Sequence, residues 1–209
     1  MEIKTKSEKL KAKSCGLKNR NKIKPEIRYL NDMKEVLYDK KWLESAPNYE
    51  LYYMYRGVKK KNGLRYDITV IPPRMLGKEF VKTKGNRNSN NFPELYTVLE
   101  GKAILLMQKM KNGIVKDAAA IKMGKGDWAI VSSDYAVIAI NPSQKTLKTG
   151  NWVSEKNKNI YGELEAMNGA GYFYTKEGWI KNIKYKIAPK LRFEKPLKKS
   201  PKSLSFLYG

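Results

Sequence analysis

Histidine is absent from all 209 residues. Imidazole is the commonest metal ligand and the usual near-neutral general base, so its absence excludes Ser–His and Cys–His nucleophile pairs and any His-based metal cage. Cysteine occurs once, as Cys15 in a polar, basic stretch, which excludes an internal disulfide and a Cys-based zinc site. No apolar run approaches the ~18 residues needed to cross a bilayer. The opening MEIKTKSEKLKAKSCG lacks the apolar core of a signal peptide. The chain therefore reads as soluble and cytoplasmic, with no membrane partner. Phosphate-loop GxxxxGK[ST] and dinucleotide GxGxxG spacings are missing too; GKEFVKTKG holds Gly and Lys in the wrong order. Acidic residues are scarce, 20 Asp and Glu against 43 Lys and Arg, for a net charge of +23. A field of that sign attracts polyanions, nucleic acid before all.

The charge is concentrated at the ends. Residues 1–25 carry a net +7 and residues 186–209 a net +6. Both stretches are dotted with apolar and aromatic residues: Ile23, Ile27 and Tyr29 near the first, Leu191, Phe193, Leu197, Leu204, Phe206 and Tyr208 in the second. Cations interleaved with rings suit extensions that lie along RNA, where phosphates meet the charge and bases stack. Two basic extensions, 1–25 and 186–209, are thus expected around a folded domain at 26–185. The expected nucleic-acid contacts are Lys4, Lys6, Lys9, Lys11, Lys13, Lys18, Arg20, Lys22 and Lys24 in the first extension. Lys190, Arg192, Lys195, Lys198, Lys199 and Lys202 serve in the second, with Lys59, Lys60, Lys61 and Arg87 on loops of the domain.

The middle of the chain has the pattern of a sheet protein. NDMKEVLYDKKWLES at 31–45 predicts a short helix or two helical turns. From Tyr49 the period shortens: YELYYMYRGV and LRYDITVIPP flank Asn62-Gly63, a strong hairpin signal. ELYTVLEG, KAILLMQKM, IVKDAAAIKM, WAIVSS and YAVIAINPS follow, separated by Gly101, Asn112-Gly113 and Gly124-Lys125-Gly126-Asp127. GAGYFYTK and WIKNIKYKI close the series around Glu177-Gly178. Short strands at regular spacing with turn residues between them predict an all-β, antiparallel jelly roll.

Two stretches then carry a likeness. GKEFVKTKGNRNSNNFPELYTVLEG at 77–101 and GKGDWAIVSSDYAVIAIN at 124–141 resemble the two motifs of the archaeal-type glucose-6-phosphate isomerases, a cupin family. The similarity extends over residues 26–185. In that family the first motif runs Thr-Lys-Gly, His-x-His, a Glu, then a Gly; here it reads Thr83-Lys84-Gly85, Asn86-Arg87-Asn88, Glu94, Gly101. The second runs from a Gly through a Pro turn to a third His and an Asn; Gly126 and Asn141 hold the ends, while Ser132 and Val137 replace the Pro and the His.

The resemblance implies a cupin fold, the double-stranded β-helix, with a cavity that once held a metal. It implies a phosphate cradle near Thr69, Thr83 and Gly85, with Tyr96 facing the cavity. Neutral amides and a valine are poor substitutes for imidazole, so it also implies no metal, no cofactor and no catalytic residue. Together with the charge, the expectation is a non-catalytic, ribosome-associated RNA-binding cupin with rRNA and neighbouring ribosomal proteins as partners, able to dimerise through its core. The alternative is a sugar-phosphate isomerase, or a phosphosugar-binding protein, using a metal-free pocket around Thr69, Thr83 and Glu94.

Overall fold

In the computed structural model, residues 23–208 are described. In chain order the strands are β1 (Glu26–Tyr29), β2 (Glu50–Lys61), β3 (Leu64–Ile71), β4 (Met75–Leu76), β5 (Glu79–Phe80), β6 (Asn86–Asn88), β7 (Glu94–Glu100), β8 (Lys102–Lys111), β9 (Ile114–Gly124), β10 (Trp128–Val131), β11 (Tyr135–Ile140), β12 (Leu147–Ser154), β13 (Asn159–Ile160), β14 (Tyr172–Thr175), β15 (Gly178–Lys181) and β16 (Arg192–Glu194). Two short helices, α1 (Lys40–Ser45) and α2 (Gly162–Ala166), and a 3-10 stretch at Leu30–Val36 complete the main elements. The segment 31–45 thus forms two helical turns, the second capped by Asp39, whose carboxylate accepts from the Trp42 N–H at 3.1 Å.

Two six-stranded sheets build the body, in the orders β1-β2-β3-β12-β7-β10 and β13-β6-β11-β8-β9-β16. A four-stranded sheet, β15-β14-β5-β4, stands beside them. All pairings are antiparallel except β16 with β9. The main core is shared by both large sheets: Leu51, Ile71 and Val98 from the first meet Leu105, Ala120 and Ile138 from the second. This is the expected all-β jelly roll of cupin type.

The hairpin turns follow their residues. Asn62 and Gly63 both take positive φ (50° and 74°), as a two-residue turn between twisted strands demands. Sequence patterning missed β12, a central strand, because Lys148, Gly150 and Asn151 are weak strand formers. Gly150 has a local reason: a Cβ there would lie 1.9 Å from the Tyr66 hydroxyl oxygen on the neighbouring strand.

The strongly basic C-terminal stretch is woven into the body. Arg192 grips Asp117 on β9, and Lys198 Nζ sits 2.8 Å from Asp127. Leu197 bridges to Trp128 through paired backbone hydrogen bonds of 2.8 Å. Leu207 is fully buried against Leu64 and Leu95. Lys190, Lys195, Lys199 and Lys202 point to solvent.

Candidate active site

The cavity lies between the two large sheets, and strand alternation decides what faces it. Along β3, Arg65, Asp67 and Thr69 point inward, while Tyr66, Ile68 and Val70 pack on the outer face with Tyr53 and Tyr55. Both faces of this strand are covered, so its polar alternates are interior residues. Tyr52, Met54 and Arg56 come from β2, Glu94 and Tyr96 from β7, Asn151 and Val153 from β12. The opposite wall is the segment Thr83, Gly85 and Asn86. Thr83 is fixed against β11 by its N–H to the Ala139 carbonyl at 2.9 Å and by the Ala139 N–H to its Oγ1 at 3.0 Å. Gly85 is obligatory in that position: φ is +82°, and a Cβ would come within 2.6 Å of Ile138.

Thr69, Thr83, Gly85, Tyr96 and Glu94, singled out from sequence, therefore share one cavity. Glu94 is 3% exposed and its carboxylate accepts from Asn151 Nδ2 at 2.7 Å. Burial pushes the Glu94 carboxyl above the usual carboxylate range, against hydrogen bonds from Asn88 and Tyr96 that favour the anion. Burial, and then the neighbouring Glu94, push the Tyr96 phenol well above its ordinary value. Asp67, 1% exposed, is differently placed: it accepts from Arg56 Nη1 and Arg65 Nε, each at 3.0 Å, and from the Gly57 N–H at 2.7 Å.

The motif positions that resemble metal ligands do not fit a metal. Asn88 Oδ1 accepts from Asn86 Nδ2 at 3.2 Å and from Asn157 Nδ2 at 2.9 Å, which uses both its lone pairs. Its nitrogen donates to the Phe92 carbonyl at 2.8 Å. Val137 is buried between Asn86 and Met107 on adjoining strands and offers no donor atom. Among the described residues no grouping of three or more His, Cys, Asp or Glu side chains is arranged to hold a metal ion. An amide network that uses both lone pairs of Asn88 Oδ1 stands where a metal would need them open.

One acceptor is left over. Asn157 Oδ1 is buried on the cavity wall without a hydrogen-bond partner. The mouth is framed by Tyr161, whose ring lies 5.6 Å from the Arg28 guanidinium and 5.5 Å from Lys84 Nζ. Two ion pairs, Lys84 to Glu165 at 2.6 Å and Arg87 to Glu163 at 3.0 Å, hold helix α2 beside this rim. Sequence reasoning missed Arg56, Arg65, Asp67, Asn151 and Asn157. Charges in a strand read as solvated, and the β12 strand that carries Asn151 was not recognised.

The positions expected to meet RNA are dispersed. Lys4, Lys6, Lys9, Lys11, Lys13, Lys18, Arg20 and Lys22 lie outside the described residues. Lys24, Lys59 and Lys61 are exposed, Lys60 pairs with Glu155 at 3.3 Å, and Arg87 is engaged with Glu163. Among the described residues no helix is long and apolar enough to cross a membrane.

Comparison with known proteins settles the relationship. A family profile described as glucose-6-phosphate isomerase (GPI) matches residues 28–190. The chain is 32% identical over 129 residues to the glucose-6-phosphate isomerase of Thermococcus litoralis, covering 58% of this chain and 65% of that protein. It is 35% identical over 122 residues to the enzyme of that name from Pyrococcus abyssi (strain GE5 / Orsay), covering 55% of this chain and 62% of that protein. The chain thus spans a little under two thirds of the length of these relatives. Among solved structures, Bacillus subtilis oxalate decarboxylase is similar at a TM-score of 0.40 and 13% identity, over 52% of this chain and 27% of that one.

These matches overturn the expectation of a non-catalytic, ribosomal RNA-binding cupin, and with it the expectation that the chain is not an enzyme. Net charge was given too much weight: a strongly positive field attracts polyanions in general and identifies neither a partner nor a function. The profile match extends over most of the chain and contains both motifs and every residue of the cavity. The chain belongs to the glucose-6-phosphate isomerase family.

Proposed function

We propose that the cavity is a sugar-phosphate isomerase site that works without a bound metal and interconverts an aldose phosphate with its ketose. Glucose 6-phosphate and fructose 6-phosphate are the first pair to test, because the relatives carry that substrate in their names. One observation carries the reading. Glu94, the cavity carboxylate not already tied to arginines, shares its walls with Thr69, Thr83 and Gly85. Isomerisation moves one proton between neighbouring carbons, and a single carboxylate whose proton affinity is raised by burial suits that task. The Thr83–Gly85 turn and Thr69 receive the phosphate through hydroxyls and backbone, and Asn157 Oδ1 accepts from a sugar hydroxyl. A cytoplasmic location goes with such a substrate.

The free cavity is small, about 40 Å³, room for a few waters only. Arg56 and Arg65 line it, and their side chains remain 27% and 18% exposed. Substrate entry therefore requires side chains of the lining to move apart. The test is a coupled assay with both sugar phosphates, with and without chelator. Turnover that survives chelation and is lost in Glu94→Gln supports the reading. Absence of turnover in the intact chain refutes it. A saturable rise in melting temperature with sugar phosphate, lost in Thr83→Val, would then mark a binding protein.

A further inference from the structure

Removing a proton beside a carbonyl leaves negative charge on the carbonyl oxygen, and that charge must be met by a metal, a cation or aimed donors. The amide network around Asn88 offers no place for a metal. Two guanidiniums, always charged, line the same cavity as Glu94. They share one carboxylate, Asp67, through Arg56 Nη1 and Arg65 Nε. Their other contacts are weak. Arg56 Nη2 meets the Met54 thioether at 3.2 Å, a poor acceptor, and Arg56 Nε is 3.7 Å from Glu26, whose side chain is 62% exposed. Arg65 Nη1 reaches the Asn157 carbonyl at 3.3 Å. The positive charge of Arg56 is felt at both Glu94 and Tyr96.

We propose that Arg56, aimed by Asp67 and Arg65, is the electrophile of the reaction and takes the charge that develops on the substrate's carbonyl oxygen. The inference rests on the isomerase reading of the cavity and deepens it. Glu94 removes the proton from C2, the C–H electron pair becomes the C1=C2 double bond, and the carbonyl π pair moves onto O1, facing Arg56. The proton on O2 then passes to O1 and the O2 electron pair re-forms a carbonyl at C2. The C1=C2 pair takes the proton back from Glu94 at C1. Atoms and electrons balance with no further reactant. Arg65 and Asp67 are positioning residues. Asp67 fixes the plane of the Arg56 fork, and Arg65 offsets the carboxylate so that the group as a whole still presents positive charge.

Steady-state kinetics with fructose 6-phosphate in the presence of chelator test this, on wild type, Arg56→Met and Arg56→Lys. Inhibition is measured alongside with 5-phosphoarabinonate, a five-carbon acid phosphate whose carboxylate copies the enediolate. Arg56→Met is expected to lower kcat by about 100-fold with KM within about threefold, and to weaken the inhibitor at least about tenfold. Arg56→Lys keeps the charge but loses the fork, so it should recover part of kcat; it decides the matter if Arg56→Met does not fold. A kcat within about threefold of wild type in a folded variant overturns the inference while leaving the isomerase reading intact. A chelated wild type that is inactive until a divalent metal is restored overturns the inference and, with it, the metal-free working of the site, while the isomerase activity itself stands. Wild type inactive under every condition overturns both.

Discussion

Arg192 holds Asp117 in a two-pronged grip, Nε to Oδ1 at 2.9 Å and Nη2 to Oδ2 at 2.6 Å. The pair joins β16, near the C-terminus, to β9 in the second sheet. It shows why a count of positive residues misjudged this end of the chain: a cation that reads as free in sequence meets its carboxylate 75 residues away.

The grip has a pH signature. The Arg192 guanidinium beside it holds the Asp117 carboxyl down to about 2. A depressed carboxyl contributes stability that is fully present above its unfolded value, roughly 4, and lost as pH falls through the folded one. Protection of residues 186–208 in amide exchange should therefore decline between about pH 4 and pH 2, and Asp117→Asn should abolish that step. Because Arg192 is half exposed, solvent screening limits the effect to at most about 1 kcal/mol. A step of the same size in Asp117→Asn would assign it to other carboxylates.

The C-terminal segment is anchored by apolar contact more than by charge. Leu207 is 0% exposed, packed against Leu64 and Leu95, with Trp128, Leu204 and Phe206 around it. Leu207→Ala removes most of that side chain from a tight site and should cost about 2–4 kcal/mol, a fall of roughly 5–15 °C in melting temperature for a chain of this size. Lys202→Ala, on an exposed neighbour, should change stability by less than about 0.5 kcal/mol. Equal effects from the two substitutions would show that the segment does not dock.

Much of the framework was legible before the structure. Asn62-Gly63 and Asn112-Gly113 were turn signals because few other residues accept positive φ, and both pairs adopt it. The resemblance to the family's motifs implied that Thr83, Gly85, Glu94 and Tyr96 share one cavity, and they do. What was hidden depends on three-dimensional neighbours. Asp67 and Arg65 alternate with Tyr66 and Ile68, a pattern that ordinarily means one wet face; here both faces are covered. Gly150 argued against a strand until Tyr66 on the adjoining strand explained it. Total charge was legible too, but not its partners.

Gly150 and Tyr66 should accordingly be coupled. A methyl at position 150 would meet the Tyr66 ring at Cζ, 2.4 Å away, as well as its hydroxyl. Gly150→Ala should cost about 1–3 kcal/mol through overpacking. In a Tyr66→Ala background the clash is gone, so the second substitution should cost markedly less, with a coupling energy of at least about 1 kcal/mol in denaturant unfolding. Additive costs would mean that strain in β12, and not the tyrosine, selects glycine.

Asp67 gives the sharpest contrast between losing a charge and losing a pair. It is 1% exposed and is the carboxylate within hydrogen-bond reach of both Arg56 and Arg65. Asp67→Asn keeps the shape but leaves two guanidiniums facing each other across a neutral amide, which should cost about 3–5 kcal/mol. Replacing all three together, as Arg56→Met, Asp67→Leu and Arg65→Met, removes the unpaired charges and should restore most of that loss. Urea unfolding of the two proteins measures the difference. The triple variant, though stable, should lack isomerase turnover, because the charge that stabilises the reaction is gone. Should Asp67→Asn unfold at the wild-type urea midpoint, the carboxylate does not hold the two arginines, and the positioning assigned to it fails.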